Sequence, residues 1–255
     1  MTHRALQDSV ALVTGATSGI GRATAEAFAS RGCKVVLAGR REELGEEAAE
    51  SIRDEGGDAL FVRTDVNDDD QVRGLVERAV DEYGRLDIAF NNAGIEGDPL
   101  TPLHESSLDN FDRIIRTNVR SVLVSMQAEI PAMLQNGGGS IINNASVAGM
   151  IGFPGGSIYA ASKHAVLGLT KSAALEYSAS GVRVNAVAPG VIETGMFERF
   201  MGSGNETREY ALGLHPIGRF GASSEVADVV VWLGSSESSF VTGVTVPIDG
   251  GWTAQ

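Results

Sequence analysis

Two side chains that could move a proton stand four residues apart, in the segment Y-A-A-S-K from Tyr159 to Lys163. In a helix this spacing places the phenol and the ammonium on the same face. The phenol of tyrosine has an ordinary pKa of about 10, and a neighbouring positive charge favours the phenolate and lowers that pKa. The pair therefore predicts a general acid and base, whereas the segment in isolation would also suit an ordinary amphipathic helix.

A second segment with chemical potential is T-G-A-T-S-G-I-G, from Thr14 to Gly21. It follows a short apolar run and precedes residues with helical spacing, so it predicts a strand, a tight turn and a helix. Glycine lets the backbone approach a pyrophosphate, and a helix N-terminus offers it unpaired N–H groups. The spacing differs from G-x-G-x-x-G, and a plain βα turn is the alternative. The expected cofactor contacts here are Gly15, Thr17, Ser18, Gly19, Ile20 and Gly21.

Basic residues follow the second predicted strand, at the point where a dinucleotide fold reads the ribose 2′ position. Gly39 is followed there by Arg40 and Arg41. A carboxylate at this point binds the free hydroxyls of NAD, whereas arginine can pair with a 2′-phosphate through two hydrogen bonds. Arg40 and Arg41 therefore predict NADP (NADPH) as the preferred cofactor, with NAD as the alternative. The alternative is that both arginines are solvated at the start of a helix and bind no ligand, but positive charge is unfavourable at that position.

Strand-like and helix-like segments alternate along all 255 residues, and no linker or repeat divides them. This alternation predicts α/β architecture in a single domain, with helices on both faces of a doubly wound parallel sheet. The predicted strands span 10–14, 34–38, 59–64, 86–90, 140–144, 182–187 and 244–248, and helices are expected at about 20–31, before 55, and at 69–83, 108–134, 157–178 and 225–233. The stretch 190–222 is too long for an ordinary connection and predicts a substrate lid.

The composition narrows the function classes. Thirty-three acidic and 20 basic residues give a formal charge of -13, which repels nucleic acid and anionic membrane surfaces. The single cysteine, Cys33, excludes an internal disulfide and fits a reducing compartment. The apolar run from Val10 to Val13 is too short for a signal peptide or a membrane span, and the acidic run Asp68–Asp70 suits a helix start better than a metal. We expect a cytoplasmic protein with no metal, nucleic-acid or membrane partner.

Several motifs occur in order and together resemble one family. They are T-G-A-T-S-G-I-G, N-N-A-G at Asn91 to Gly94, Ser146, Y-A-A-S-K, P-G at Pro189-Gly190, and D-G-G at Asp249 to Gly251. This order resembles the short-chain dehydrogenase/reductase family over essentially the whole chain. The resemblance implies a Rossmann-like sheet of seven parallel strands, a nicotinamide cofactor, and hydride transfer between an alcohol and a carbonyl. It also implies a homotetramer. Small residues in the helix at 157–178 would permit close helix pairing, although they also suit packing against the sheet.

The resemblance also implies the catalytic roles. Tyr159 donates or accepts the proton at the substrate oxygen, and Lys163 with an oxidised nicotinamide ring lowers the pKa of Tyr159. Ser146 ends the fifth strand and hydrogen-bonds the substrate oxygen. Its polar neighbours Asn144 and Ser157 are expected to have ordinary roles at a strand end and as a helix cap.

Asn118 lies among apolar residues in the long predicted helix, where asparagine is unfavourable. Its amide either satisfies a buried polar group or supports a water and proton path to Lys163. The family position favours the second role and places Asn118 with the catalytic residues.

The remaining cofactor contacts implied by the resemblance follow the third, fourth and sixth strands. For Asp65 the alternative to a cofactor contact is a role in the turn itself, because aspartate commonly begins a turn. These expected contacts are Asp65, Val66, Asn92, Ala93, Gly94, Pro189, Gly190, Ile192 and Thr194, together with Tyr159 and Lys163.

The loop 147–157 and the stretch after Pro189 would set the substrate. Their apolar side chains predict a pocket for a ketone or secondary alcohol with a hydrocarbon portion, although such residues also suit a packed lid or a subunit contact. The expected substrate contacts are Ser146, Ala148, Phe153, Tyr159, Met196 and Phe197.

Three alternative functions compete with a ketone reductase. A 3-oxoacyl thioester reductase is the closest, but the segment after N-N-A-G reads I-E-G-D-P-L-T-P-L and has no arginine for a phosphopantetheine carrier. The second alternative is a sugar or polyol dehydrogenase of the same family. A non-catalytic dinucleotide-sensing protein belongs to another class, because a fold does not determine a function, and the four predicted catalytic residues argue against it.

Overall fold

The computed structural model of the chain describes residues 6–98, 100–195 and 205–255. Its strands are β1 (Val10–Thr14), β2 (Lys34–Gly39), β3 (Asp58–Arg63), β4 (Ile88–Asn91), β5 (Gly139–Asn144), β6 (Val182–Pro189) and β7 (Thr245–Ile248). They pair in parallel in the order β3-β2-β1-β4-β5-β6-β7. The chain order reverses between β1 and β4, so their carboxyl ends border the crevice where open α/β sheets bind ligands.

Helices cover both faces of this sheet. They are α1 (Gly19–Ser30), α2 (Glu42–Asp54), α3 (Asp69–Tyr83), α4 (Leu108–Ile115), α5 (Ser121–Gln135), α6 (Ser157–Tyr177), α7 (Asn205–Gly213) and α8 (Ser223–Gly234). One hydrophobic core contains Phe28 of α1 and Val230 of α8, and the other contains Leu75 of α3, Met133 of α5 and Val166 of α6. Because both faces are covered, β1 and β4 are buried along their whole length. The predicted doubly wound α/β fold with seven parallel strands is confirmed.

Two predicted boundaries are wrong in ways that affect the site. The long helix expected at 108–134 is interrupted between α4 and α5 by a π-helical turn, Arg116–Arg120. The stretch expected to be irregular at 190–222 contains α7. Hydrophobic spacing alone does not reveal a π-helical turn, because the apolar residues on either side still face the core.

The acidic run before α3 has the structural role expected for it. Asp68 is the N-cap, and its carboxylate accepts hydrogen bonds from the backbone N–H groups of Asp70 and Gln71 at 3.0 and 3.2 Å. Gly84 ends the helix in the left-handed conformation with φ of 78°. Within the described ranges, none of the helices has both the length and the apolar character that crossing a membrane requires.

Candidate active site

The glycine-rich turn lies at the carboxyl end of β1 and leads directly into α1. Gly15 and Gly19 have φ of 66° and 55°, a backbone region that favours glycine. A Cβ atom on Gly15 would lie 2.9 Å from Asn92 Nδ2, which itself donates to the carbonyl oxygen of Thr14 at 2.9 Å. The turn is therefore held against the segment that follows β4, and a side chain at Gly15 would separate the two.

The N-terminus of α1 is suited to an anion. Its N-cap residue, Ser18, makes no capping hydrogen bond, and its first turn contains no acidic residue, whereas α2 and α3 each begin with two carboxylates. The segment after β6 reaches the same place, since a Cβ atom on Gly19 would lie 3.2 Å from Thr194 Cγ2. The predicted phosphate-binding and nicotinamide-binding segments thus meet, and their arrangement fits an extended dinucleotide.

Of the two arginines after β2, Arg41 is the one that contacts the glycine-rich turn. Its Nη2 donates to Thr17 Oγ1 at 2.6 Å and to Ser18 Oγ at 2.7 Å. Arg40 is exposed and makes no hydrogen bond or ion pair with residues 6–98, 100–195 or 205–255. Thr17 in turn packs under Gly39, where a Cβ atom would lie 2.6 Å from Thr17 Cγ2. One guanidinium is therefore fixed on the turn, and the other is available to a ligand.

The segment after β3 forms a local turn. Asp65 Oδ1 accepts a hydrogen bond from the backbone N–H of Asn67 at 3.0 Å, so the structural alternative left open for Asp65 is realised. Val66 lies inside this turn and is partly buried. Contact of Asp65 and Val66 with adenine stays a prediction.

The segment after β4 connects three strand ends. Asn92 binds the end of β1 through its amide nitrogen, and its Oδ1 accepts a hydrogen bond from Asn144 Nδ2, at the end of β5, at 2.9 Å. The backbone N–H of Ala93 donates to Thr14 Oγ1 at 3.1 Å. Asn144 is therefore more than the ordinary strand-end residue expected, because it contacts both Asn92 and Lys163.

The segment after β6 begins at the end of that strand with Pro189. The backbone N–H of Gly190 donates to the carbonyl oxygen of Ile248 at 3.0 Å. Ile192 is buried and pairs with Gly221 in an isolated bridge, and its contact with a cofactor stays a prediction.

Tyr159 and Lys163 lie one turn apart on α6, as predicted. Lys163 is 4% exposed, and its Nζ donates to the carbonyl oxygen of Asn144 at 2.8 Å and lies 5.7 Å from the centre of the Tyr159 ring. Ser146, just beyond β5, is the hydrogen-bonding neighbour of the Tyr159 hydroxyl. The structure therefore brings Ser146, Tyr159 and Lys163 together at the carboxyl end of β5.

The surroundings shift the pKa values of this pair in opposite directions. Burial raises the pKa of Tyr159 to about 12, the hydrogen bond with Ser146 lowers this pKa, and the negative charge of Glu96 raises it. Burial lowers the pKa of Lys163 to about 8. Burial thus outweighs the lowering of the Tyr159 pKa expected from Lys163, and at neutral pH the phenol is protonated and able to act as an acid.

Asn118 lies in the π-helical turn and is 1% exposed. Its Oδ1 accepts from the backbone N–H of Ile95 at 2.8 Å, and its Nδ2 donates to the Ile95 carbonyl at 2.9 Å and to Ser162 Oγ at 3.2 Å. The amide therefore satisfies buried polar groups, which is the first of the two roles expected for Asn118. A Cβ atom on Gly94 would lie 3.3 Å from Asn118 Oδ1 and 3.6 Å from Lys163 Nζ. Asn118 is thus also near Lys163, and the proton path stays a prediction.

His215 positions the segment after β6 that is predicted to bind the nicotinamide, a role not predicted from the sequence. It is 3% exposed, its Nε2 accepts from the backbone N–H of Val191 at 3.1 Å, and its Nδ1 lies 2.9 Å from the carbonyl oxygen of Ala211. These partners define a neutral imidazole with its proton on Nδ1. The ring therefore ties α7 to the segment after β6. A lone histidine before Pro216 carries no sequence signal for this role, because its partners are distant along the chain.

The expected substrate contacts are only partly described. Ala148 is 2% exposed and donates its backbone N–H to Ser146 Oγ at 3.2 Å, so it supports Ser146 rather than offering a side-chain surface. Phe153 is partly buried. Met196 and Phe197 lie outside the described residues.

The segment after N-N-A-G lies against the loop that precedes α6, a contact that the sequence did not predict. The backbone N–H of Thr101 donates to the carbonyl oxygen of Gly155 at 2.9 Å, and Leu100 beside it is 47% exposed. The expectation that Ser157 caps α6 is wrong, because Gly156 occupies the N-cap and Ser157 is the first helical residue.

This arrangement can transfer a proton at a single oxygen atom. Two hydroxyl groups, from Tyr159 and Ser146, and one buried ammonium group, from Lys163, converge beside a crevice suited to a dinucleotide. In the parts of the chain that the structure describes, no group of three or more His, Cys, Asp or Glu residues could hold a metal ion.

Known proteins match the chain over almost its whole length. A family model described as Enoyl-(Acyl carrier protein) reductase matches residues 15–253. Cyclohexanol dehydrogenase of Acinetobacter sp. (strain SE19) is 43% identical over 252 residues, which cover 97% of this chain and 96% of that protein. The 2,5-dichloro-2,5-cyclohexadiene-1,4-diol dehydrogenase of Sphingobium indicum (strain B90A) is 42% identical over 250 residues, 98% of each chain. The crystal structure of levodione reductase has a TM-score of 0.93 and 38% identity, covering 97% of this chain and 98% of that chain.

Proposed function

Because the chain belongs to the short-chain dehydrogenase/reductase family and is an oxidoreductase of alcohol and ketone groups, we propose that it is an NADP(H)-dependent reductase of cyclic ketones. The observation that carries this proposal is the convergence of Tyr159, Ser146 and Lys163 at the carboxyl end of β5. Asn92 and Asn144 connect that point to the glycine-rich turn.

The protein residues supply the proton chemistry. In reduction, the Tyr159 hydroxyl donates its proton to the carbonyl oxygen while the Ser146 hydroxyl hydrogen-bonds the same atom. In oxidation, the Tyr159 phenolate accepts the proton of the alcohol. Lys163 stabilises the phenolate by its charge, and Asn118 holds the neighbouring backbone of Ile95 in place.

A nicotinamide dinucleotide supplies or accepts the hydride when it is bound. The glycine-rich turn from Gly15 to Gly21 would hold its pyrophosphate, and the segment from Pro189 to Thr194 would hold its nicotinamide end. Arg40 and Arg41 would bind the 2′-phosphate. Asp65 and Val66 would contact the adenine, Ala93 and Gly94 would line the adenosine side, and Lys163 would bind the nicotinamide ribose.

Two features support a cyclic substrate with an apolar body. Two relatives are named for a cyclohexanol and a cyclohexadiene diol, which are six-membered carbon rings carrying hydroxyl groups. Leu100 and Phe153 lie against Gly155 and Gly156, which precede α6, and these apolar side chains suit such a ring. The negative charge of Glu96 acts on Tyr159 and disfavours an anionic substituent near the reacting carbon.

A comparison of initial rates tests the function and the substrate class together. Cyclohexanone, a 3-oxoacyl thioester and an open-chain ketone would be reduced with NADPH and NADH, and cyclohexanol and hexoses would be oxidised with NADP and NAD. We expect the cyclic ketone and alcohol to have the highest kcat/KM. A hexose oxidised faster than cyclohexanol would contradict the apolar pocket, and cofactor binding without any turnover would support the sensing alternative.

One observation favours a second candidate, a 3-oxoacyl thioester reductase. The 3-oxoacyl-[acyl-carrier-protein] reductase FabG of Thermotoga maritima is 42% identical to this chain over 251 residues, which cover 96% of this chain and 98% of that protein. Against it, the negative charge of Glu96 acts on Tyr159 and would repel the phosphate of a phosphopantetheine arm. The thioester arm of the rate comparison decides between the two candidates.

Replacing Arg40 by aspartate is expected to change the ratio of kcat/KM for NADPH over NADH by about 10–100-fold in favour of NADH. The substitution removes a charge-assisted hydrogen bond to the 2′-phosphate, which contributes about 1.5–3 kcal/mol, and replaces it with a repelling carboxylate. Arg31→Asp, the same charge reversal at the other end of α1, should leave the ratio unchanged. Equal efficiency with both cofactors in the parent protein would contradict the proposed preference.

We expect a homotetramer in the cytoplasm, and α6 offers a surface for subunit contact. Ala161, Gly168 and Leu175 recur every seven residues on its exposed side, Leu175 is 88% exposed, and a Cβ atom on Gly168 would meet nothing within 4 Å. Light scattering should give a tetramer for the parent and a smaller species for Leu175→Arg. A monomeric parent at assay concentration would contradict the expectation.

A further inference from the structure

Glu129 is a carboxylic side chain in a setting that does not suit a charge. It lies on α5 and is 0% exposed, between that helix and the sheet. Its carboxyl group makes one hydrogen bond in the described chain, in which Asn91 Nδ2 donates to Glu129 Oε2 at 3.0 Å. Glutamate is almost never fully buried unless a cation compensates its charge, so its protonation state needs a physical explanation.

Two acceptor atoms in this one pair have no donor. Glu129 Oε1 and Asn91 Oδ1 are both buried and have no hydrogen-bond partner among residues 6–98, 100–195 and 205–255, although the two side chains already meet through their other atoms. A proton on Glu129 Oε1 would let the carboxyl group donate to Asn91 Oδ1. A carboxylic acid and a primary amide then form a ring with two hydrogen bonds, and neither oxygen is left unsatisfied.

The same amide continues into a chain of hydrogen bonds below the active site. Asn91 Nδ2 also donates to Asn143 Oδ1 at 3.1 Å, and Asn143 Nδ2 donates to Thr170 Oγ1 at 3.0 Å. Thr170 Oγ1 donates to the carbonyl oxygen of Val166 at 2.8 Å. The donors of Asn91 and Thr170 are thus fully used, and Glu129 is the group at the end of the chain that can supply the missing proton.

This chain joins four elements that carry the site. Glu129 is on α5, Asn91 ends β4, Asn143 lies in β5 and Thr170 is on α6. Asn91 directly precedes Asn92, which holds the glycine-rich turn, and Asn143 directly precedes the carbonyl that binds Lys163.

We propose that Glu129 is a positioning residue held as a neutral carboxylic acid, which pairs with Asn91 and thereby fixes the end of β4 for cofactor binding. The cofactor part rests on the proposed function, whereas the protonation part does not. Ionisation of Glu129 would place a buried charge beside an amide oxygen and break the ring of two hydrogen bonds.

The electrostatic surroundings agree with this proposal. Burial raises the pKa of Glu129 from its ordinary value of 4.5 to about 8, and the hydrogen bond from Asn91 lowers this pKa by less. No charged side chain on α3, α6 or β6 pairs with Glu129 in the described parts of those elements. Lys163 of α6 donates to Asn144, and Arg183 of β6 donates to the carbonyl oxygen of Leu233 at 2.7 Å.

Thermal unfolding of the parent and Glu129→Gln between pH 5 and 10 tests the protonation state without any cofactor. Glutamine is neutral and can make the same two hydrogen bonds with Asn91. Between pH 4.5 and about 8 the unfolded parent has lost a proton that the folded parent keeps, so parent stability falls as pH rises. We expect the Tm of Glu129→Gln to exceed that of the parent by an amount that grows by about 2–4 °C per pH unit up to pH 8 and is constant above it.

NADPH binding tests the positioning role. At pH 9 only about a tenth of the parent would retain neutral Glu129, so its dissociation constant should rise about tenfold relative to that of Glu129→Gln, and about equal constants are expected at pH 7. Glu77→Gln, an exposed acid on α3, is the control and should follow the parent in both measurements. Glu129→Met, which is neutral but cannot pair with Asn91, should have a lower Tm than Glu129→Gln at every pH.

The outcomes separate the two parts of the proposal. A pH-independent Tm difference, or a Glu129→Gln protein that does not fold, would overturn the neutral acid–amide pair. If the Tm values behave as expected but the ratio of the NADPH dissociation constants of the parent and Glu129→Gln does not change with pH, the positioning role would be overturned. A parent that binds no nicotinamide dinucleotide would contradict the proposed function, and the unfolding experiment would still decide the state of Glu129.

Discussion

Replacing Tyr159 by phenylalanine is expected to lower kcat for reduction of a cyclic ketone by about 10²–10⁴-fold, with little change in the dissociation constant of NADPH. The substitution removes one hydroxyl group and leaves the ring in place. Ser146 keeps its hydroxyl, but an aliphatic hydroxyl is a much weaker acid than a phenol and cannot replace it as the proton donor. Initial rates and cofactor fluorescence titrations measure the two quantities.

Tyr177→Phe is the matched control for this experiment. Tyr177 ends the same helix, is partly buried, and packs against the core on the α3, α5 and α6 side. We expect it to keep the parental kcat within about twofold, as surface and periphery substitutions usually do. A Tyr159→Phe protein with more than a tenth of the parental kcat would mean that the proton comes from another group, and the site would need reassignment.

Replacing Lys163 by methionine is expected to lower kcat for alcohol oxidation by about 100-fold at neutral pH. At a separation of 5.7 Å from the ring centre, an ammonium stabilises a phenolate by about 3 kcal/mol with an effective dielectric constant of about 20. That energy corresponds to about two powers of ten in rate. Methionine fills the buried volume without a charge, so the fold should persist.

The pH profile separates an electrostatic role of Lys163 from a structural one. Without the ammonium, the Tyr159 phenolate forms only at higher pH, so oxidation by Lys163→Met should rise about tenfold per pH unit over a range that extends above that of the parent. Lys171→Met, an exposed lysine on the same helix, should keep the parental profile. A uniformly lowered but unshifted profile would show that Lys163 acts only by holding Asn144.

The sequence was most informative where a structure depends on neighbouring residues. The strand Val10–Thr14 and the helix Asp69–Tyr83 have the predicted bounds, because β-branched residues before glycines and a capping aspartate act locally. The pairing of Tyr159 and Lys163 on one helical face also follows from their spacing alone. The long helix at 108–134 was less well predicted, since the π-helical turn that carries Asn118 is stabilised by contacts with Ile95 and Ser162.

By itself, then, the sequence determined the α/β fold, the glycine-rich turn and the placement of Tyr159 and Lys163 one helical turn apart, because each depends on residue type and on spacing of a few residues. Only the tertiary structure decided that Arg41 rather than Arg40 lies on the turn, that His215 holds Val191, and that Glu129 meets Asn91. These contacts join residues far apart in the chain. Their geometry depends on how strands and helices pack, and burial, not spacing, decides which polar atoms must be satisfied.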